Sequence, residues 1–517
     1  MSVNALIFTQ LIHGETCSRG LGAYRIATEI RKAGYTCQVI EHFTEFSEVE
    51  MKKIMSSFIG EDTLIVGFSS TFFMYIDEKL NVFQQIVTGR ETKKPGKLLD
   101  TLNYPYHWEK MQIWFQEMKK LNPKLKIVFG GSKSQYLNAI CDAYAIGYAD
   151  QSIINYMKFL EGKNPFFQFK KINENQILFN GDTSIFDFTK STVEWHETDH
   201  LMHGEAVPIE IARGCIFKCK FCSYPLNGKK KLDYIKDEKV LRDEFLKNYY
   251  EHGITRYMYA DDTHNDTIEK LQMMHRIVTS LPFELEYTSY LRLDLIHAHK
   301  ETASLLRESG LRSTMFGIES LNYKSARSIG KGLHPEKVKE TLYWLKEDVW
   351  KNEVAISASF IVGLPHDTPE TVTEWSKWLL DSTCPIDTFY MTGLRLKPTT
   401  NSLDTKLWNS EFDSNAEKYG YIVEDDGYTW RNTHYTHATA EWHANQITNT
   451  AVAADRFRCA GFPLFALSNS GFKISEMMGS DSNSIFDKSR GLRSKILNEY
   501  TTKLLKQINY EIPIRSI

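Results

Sequence analysis

Cys215, Cys219 and Cys222 lie within one short stretch, ARGCIFKCKFCSYP, residues 212–225. Thiolates are soft ligands that suit iron–sulfur clusters or zinc. A closed structural zinc site takes four protein ligands. A 4Fe-4S cluster held by three cysteines leaves one iron open, able to bind and reduce a substrate. The C-x3-C-x2-C spacing alone admits both readings, the second being a zinc ion completed by a distant His or Cys. The remaining five cysteines, Cys17, Cys37, Cys141, Cys384 and Cys459, are scattered. Eight cysteines in 517 residues do not make a disulfide framework. The expectation is therefore a cytoplasmic protein with reduced thiols.

The elements that must position this loop read clearly. A chain of 517 residues exceeds one ordinary core, so two or three domains are expected. Hydrophobic residues at 42% and charged residues at 25% exclude a disordered chain. The net charge of -3 and the lack of a long basic tract give no argument for nucleic acid as a partner. The start of the chain has no secretory-signal pattern, and no apolar run approaches the ~20 residues that span a bilayer.

Strand and helix alternate up to residue 162: NALIFTQ, the helical GAYRIATEIRKAG, TCQVIEHF, TLIVGFSS, a helix stopped by Asn122-Pro123, KIVFGG, and the helical QSIINYMKFLEG. Buried strands in such alternation imply a doubly wound parallel sheet. Residues 163–204 read as a linker with a hairpin, its turns at Asn173–Asn175 and Asn180-Gly181. Residues 205–400 hold a second series of six βα units, a full or partial parallel β/α barrel, whose chemistry belongs on the loops after its strands. Residues 401–517 read as a mainly helical region. The fold class is α/β throughout, and the cysteine loop follows the first strand of the second series.

Cys215-x3-Cys219-x2-Cys222, with Phe221 before the last cysteine, resembles the radical S-adenosylmethionine superfamily. The resemblance covers about residues 205–395. It implies a 4Fe-4S cluster whose open iron chelates S-adenosylmethionine, and whose electron cleaves the sulfonium to methionine and a 5'-deoxyadenosyl radical that takes hydrogen from a substrate. It also implies an external one-electron donor, flavodoxin or ferredoxin. YADDTHND (Tyr259–Asp266) matches the family's polar motif for the methionine ammonium, with Asp261 and Asp262 as candidates. Helix capping by Asp262, Thr263 or Asn265 is the structural alternative. In YLRLD and just before it, Ser289 and Arg292 are candidates for the cofactor's ribose or carboxylate. Glu319 in GIES is a candidate polar contact. FIVGLPHDTPET resembles the Gly-Leu-Pro-Gly-Glu-Thr element, which makes Gly363 and Leu364 candidate backbone contacts near the adenine, although His366-Asp367 replaces Gly-Glu.

The first sheet resembles the cobalamin-binding domain that precedes many such enzymes. The matching positions are Ser69-Ser70, Gly130-Gly131 and Gly147–Asp150, where small residues let a macrocycle approach the backbone. The Asp-x-His-x-x-Gly motif that supplies a histidine to cobalt elsewhere is absent, as is common in radical enzymes. A retained fold with an empty site stays open as the alternative. In the last region, His434, His437 and His443 lack a Glu or Cys to complete a metal pattern, and Trp430, Tyr435 and Trp442 read as packing. Three functions follow. The first is a cobalamin-dependent radical enzyme, a methyltransferase or a rearrangement or ring-forming catalyst, acting on a small molecule or on an unknown substrate. The second is a cobalamin-free radical enzyme such as a methylthiotransferase. The third is a non-enzymatic, zinc-stabilised binding protein.

Overall fold

Two parallel sheets carry the chain. The computed structural model describes all residues except 14–15, 70–107, 132–140, 182–185, 203–204, 224–233, 398–408, 426, 455–481 and 511–517. The first sheet contains β1 (Ala5–Phe8), β2 (Cys37–Ile40), β3 (Ile65–Ser69), β4 (Lys126–Gly130), β5 (Ala143–Ile146), β6 (Lys170–Lys171) and β7 (Ile177–Asn180). Its strand order is β2-β1-β3-β4-β5-β7-β6. Only the β6–β7 pair is antiparallel, so the hairpin expected in residues 163–204 forms, and β7 extends the first sheet beside β5. Buried strands such as β1, with every side chain inside, read as unbroken apolar runs because helices cover both faces. α1 (Leu21–Lys32), α2 (Glu48–Phe58), α3 (Trp108–Leu121) and α4 (Ser152–Leu160) belong to this half. The strand order reverses direction between β1 and β3. Such a reversal opens a crevice beyond the carboxyl ends of the strands.

The second sheet runs β8 (Val207–Ile209), β9 (Arg256–Tyr259), β10 (Glu286–Leu291), β11 (Leu311–Glu319), β12 (Ala355–Val362) and β13 (Thr388–Gly393), in chain order and all parallel. Each adjacent pair is joined through helices: α5 (Glu238–His252), α6 (Ile268–Thr279), α7 (Leu293–Ala298), α8 (Glu301–Glu308), α9 (Tyr323–Ser328), α10 (Pro335–Trp344) and α11 (Pro369–Ser376). β8 and β13 are its edges, and no pairing between them closes a barrel among the described residues.

The last region is helical where described. α12 (His437–Ala453) packs on β12 and β13. α13 (Ser482–Gln507) returns to the first sheet, where Tyr500, Leu504 and Leu505 join the core of Leu6, Phe8 and Phe68. A second core is continuous across both sheets, from Ala5 and Val39 to Val207 and Tyr257. The two sheets thereby share one buried core. No helix among the described residues is long and apolar enough to cross a membrane.

Candidate functional site

The cysteine loop leaves β8 through backbone that one carboxylate holds. Asp261 accepts hydrogen bonds from the Ile211 and Ala212 amides at 2.9 and 3.0 Å. Its own charge is stabilised from the other side by Lys270 at 3.4 Å and His264 at 3.6 Å. Burial works against that charge, but Lys270 and His264 outweigh it and hold the carboxyl below its usual range. Gly214, at φ +79, then turns the chain in a way a side chain would resist. The outer side of the loop is tied down as well. The Lys220 amide donates to Ile329 O, the Phe412 amide donates to Lys220 O, and Lys397 donates to the Ser223 hydroxyl.

A cavity of about 300 Å³ opens over this loop. Cys215, Cys219, Cys222, Phe217, Phe221, Asp262, Tyr290, Arg292, Glu319, Lys331, Ser359 and Tyr390 are among its walls. The Cys215 sulfur lies 3.4 Å from both the Thr263 hydroxyl and the Phe217 amide, and the Arg292 guanidinium donates to the Cys219 sulfur at 3.1 Å. Among the described residues, no three His, Cys, Asp or Glu side chains gather as ligands of one metal ion would. The three thiols line the same cavity.

Several candidates meet here, and several do not. Phe221, Asp262, Arg292 and Glu319 line the cavity with the three cysteines. Asp261 does not; it is the staple of the loop, buried at 1% exposure. Ser289 is fully buried and absent from the cavity wall. Side chains alternate along a strand, so Ser289 shares the face of Tyr287, which stacks on Tyr259 at 4.1 Å, while its neighbour Tyr290 reaches the cavity. Gly363 and Leu364 also lie away from it. The Gly363 carbonyl accepts from the Tyr421 hydroxyl, and the Leu364 amide donates to Asp367. Gly363 is needed for packing: it sits at φ +87, and a Cβ there would meet the Trp430 ring at 2.6 Å. The capping alternative for Asp262, Thr263 and Asn265 is replaced by Thr267, which caps α6 through the Lys270 amide. Asn265 instead clasps the backbone of Arg292 with both ends of its amide, at 2.9 and 2.8 Å. In the last region Trp430 and Tyr435 pack as expected, whereas Trp442 is 63% exposed. His443 bonds Tyr435 and Thr373.

Glu319 ends β11 at φ +68, beside a register shift in the β11–β12 pairing. Such backbone is costly in a non-glycine residue and persists only where the surroundings hold it. Its carboxyl is raised above the usual range by burial, only partly countered by Lys331 and by the Ser359 hydroxyl. Asp262 is pushed up to about 7 by burial and by the charge of Asp261. No hydrogen bond or ion pair from another described residue reaches the Asp262 carboxyl.

A second cavity, of about 320 Å³ within the described residues, lies in the crevice beyond the first sheet. Ser69, Gly130 and Gly131 line it, as do Gly147, Tyr148 and Asp150; Ser70 lies outside the described residues. Its floor is flat because Ser69, Gly130 and Ala145 are register partners across three strands. Its far wall comes from the second sheet. There Arg213 grips Asp150 at 2.8 and 2.9 Å and Glu210 at 2.9 and 3.2 Å, while Arg25 reaches Glu210 at 3.2 Å. Burial alone would raise the Glu210 carboxyl, but Arg213 and Arg25 outweigh it and hold it at about 2. Asp262 is the one described residue that lines both cavities.

The network of Arg25, Asp150, Glu210 and Arg213 was missed as a site in the sequence, apart from Asp150 in its glycine-containing element. A signal existed for Arg25, since it falls on the buried face of α1 among Ala23, Tyr24 and Ala27. Lys331, between α9 and α10, and Ser359 and Tyr390, inside β12 and β13, carried no signal in the sequence.

Residues 209–379 match the model of the radical SAM superfamily. An uncharacterized methyltransferase of Pyrococcus horikoshii is 28% identical over 161 residues, 31% of this chain and 34% of that protein. An anaerobic magnesium-protoporphyrin IX monomethyl ester cyclase of Cereibacter sphaeroides is 25% identical over 252 residues, 45% of this chain and 40% of that protein. The chain thus spans about a third to two fifths of these curated relatives. In structure it is similar to the radical S-adenosylmethionine methyltransferase TsrM of Kitasatospora setae, solved with cobalamin and a 4Fe-4S cluster bound. The TM-score is 0.60 at 13% identity, covering 98% of this chain and 100% of that one. The matched residues begin in β8 and take in the cysteine loop, and the structural likeness extends over both sheets. About a third of the chain, residues 209–379, thus matches the radical S-adenosylmethionine superfamily, and the fold of the whole chain is similar to that of the methyltransferase solved with cobalamin and a 4Fe-4S cluster.

Proposed function

We propose that the protein is a cobalamin-dependent radical S-adenosylmethionine enzyme that methylates a small molecule. The observation that carries this reading is the common wall at Asp262, which sets the flat, glycine-floored cavity directly against the cysteine cavity. Cys215, Cys219 and Cys222 would hold the cluster, and the thiol donor set fits it: three soft ligands, with a polar group or amide beside Cys215 and Cys219. The row Ser69–Gly130–Ala145 fits the face of a corrin, since no side chain bulkier than a methyl or hydroxymethyl stands on it. When bound, the cluster supplies the electron that cleaves S-adenosylmethionine, and the corrin supplies a methyl carrier. Asp262 and Glu319 offer carboxylates to an ammonium group in the space between. Phe217, Phe221 and Met315 keep the cysteine wall apolar and limit water. Asp262, with its carboxyl near 7, can hold or release a proton where the two cavities meet.

A one-electron donor of the flavodoxin or ferredoxin type, and a reducing, cytoplasmic setting, complete the proposal. The likeness to cyclases favours ring formation as the second reading. Anaerobic reconstitution with and without cobalamin separates the two. Methyl transfer yields S-adenosylhomocysteine together with 5'-deoxyadenosine, only when cobalamin is present. Ring formation yields 5'-deoxyadenosine alone. Zinc in place of iron and sulfide in anaerobically purified protein would remove both.

A further inference from the structure

Arg292 was singled out in the sequence as a contact for the cofactor's ribose or carboxylate. The structure commits its guanidinium elsewhere. Nε and Nη2 bind the two oxygens of Asp294 at 3.0 and 2.5 Å, and Nη2 also faces Gly330 O at 3.5 Å. The plane of the group rests on the Phe217 ring, 4.0 Å from its centroid. Its backbone is clasped by Asn265. The side chain is almost fully buried. What is left is Nη1, which points at the Cys219 sulfur from 3.1 Å, short for a hydrogen bond to sulfur. A guanidinium fixed at three points retains little freedom to swing toward a ligand in the cavity.

We infer that Arg292 is a positioning residue for the metal centre: it donates a fixed, charge-assisted hydrogen bond to the Cys219 thiolate and raises the reduction potential of the cluster held there. The inference rests on the cluster reading above. Reduction adds one negative charge to the cluster and its thiolates. A donor aimed at sulfur stabilises the more negative, reduced state, and hydrogen bonds to sulfur together with net charge are established determinants of iron–sulfur potentials. Asp294 cancels much of the long-range field of the guanidinium, so the effect is that of one short hydrogen bond and not of a bare cation. The hydrogen-bond partners of Cys215 are a hydroxyl and an amide, both neutral, so the Cys215 and Cys219 corners are electrostatically unequal.

The test uses the full chain, reconstituted anaerobically with iron and sulfide, as wild type, R292Q and R292K, and without S-adenosylmethionine. Dithionite serves as the one-electron reductant, and the reduced cluster is read by electron paramagnetic resonance during a potentiometric titration. The expected result is an unchanged iron content and a lower midpoint in R292Q, with the reduced-to-oxidised ratio at the wild-type midpoint falling about tenfold, or ~59 mV for a one-electron couple. R292K retains the charge but cannot bridge Asp294 and Cys219 together, so it recovers part of the shift. If R292Q loads no iron, R292K and Phe217→Leu decide the matter, each expected to lower the midpoint by less. Unchanged midpoints and g-values, with weakened binding of S-adenosylmethionine in a separate equilibrium titration of the same variants, would overturn the inference and return Arg292 to the cofactor. Failure of the wild type to take up any cluster would defeat the functional reading itself.

Discussion

The cysteine cavity draws its three thiols from one short loop, whereas the glycine-floored cavity draws its walls from residues 7 to 262, across both sheets. The first is braced locally, by Asp261 on the backbone before it and by amide contacts around Lys220. The second is defined by small residues that leave space and by a buried charge network that closes the far side. Removing a ligand from the first should be all-or-none. Changes to the second should be graded, because a shaped surface has many contributors. Arg213 joins the two: it belongs to the network, and only Gly214 separates it from Cys215.

The comparison is tested most severely at the thiols. Cys215→Ala, Cys219→Ala and Cys222→Ala should each abolish cluster assembly, read as loss of bound iron and sulfide and of visible absorbance. Cys37→Ala and Cys384→Ala, buried away from the loop, should keep full iron content and cost only about 1 kcal/mol of stability. Equal iron loss in all five would sink the ligand assignment.

Next in size is Arg213→Ala. It leaves Asp150 and Glu210 as buried charges with Arg25 and, for Glu210, Lys236 as the remaining cations, so unfolding free energy in urea should drop by about 3–5 kcal/mol. An effect below ~1 kcal/mol would mean that the network is solvated in solution. Gly363→Ala follows, at about 2–3 kcal/mol, because a Cβ meets Trp430 in a backbone conformation that disfavours one. Thermal denaturation reads this loss, which should appear with no change in affinity for S-adenosylmethionine.

Gly130→Ala separates shape from stability. A Cβ there has ordinary contact with Ala145 at 3.7 Å, so the fold should hold, while the methyl stands on the flat floor. Cobalamin affinity should fall about tenfold, or ~1.4 kcal/mol, by equilibrium binding. Unaltered affinity would move the corrin elsewhere.

The smallest effect concerns pH. Asp262 has a folded pKa of about 7, above its unfolded value, so the folded state binds the extra proton between roughly pH 4 and 7. Stability therefore falls as pH rises through that window, and the penalty is complete above it. Asp262→Asn removes the penalty. The variant should be about 1 kcal/mol more stable than wild type at pH 8, with the gain shrinking toward pH 5 in urea titrations; the cavity's contact with water keeps the figure below the full shift. Asp261→Asn should do the reverse and destabilise at pH 8, since its carboxylate holds two amides and a lysine.

Much of this molecule was legible from residue order alone. The apolar runs of β1, β3 and β4, the stop at Asn122-Pro123, the six alternating units and the three-cysteine loop all arise from interactions within a few residues of each other. Tight spacing, backbone propensity and helical or strand periodicity are local properties, and sequence carries them directly. Packing decided the rest. Which of two adjacent aspartates faces a cavity, that Ser289 points away while Tyr290 points in, that Arg292 reaches Cys219, and that Gly363 makes room for Trp430 all depend on strand register and on partners up to 73 positions distant. Those arrangements form only once the second sheet has assembled with the helices, loops and last region packed on it, so their roles belong to the tertiary structure.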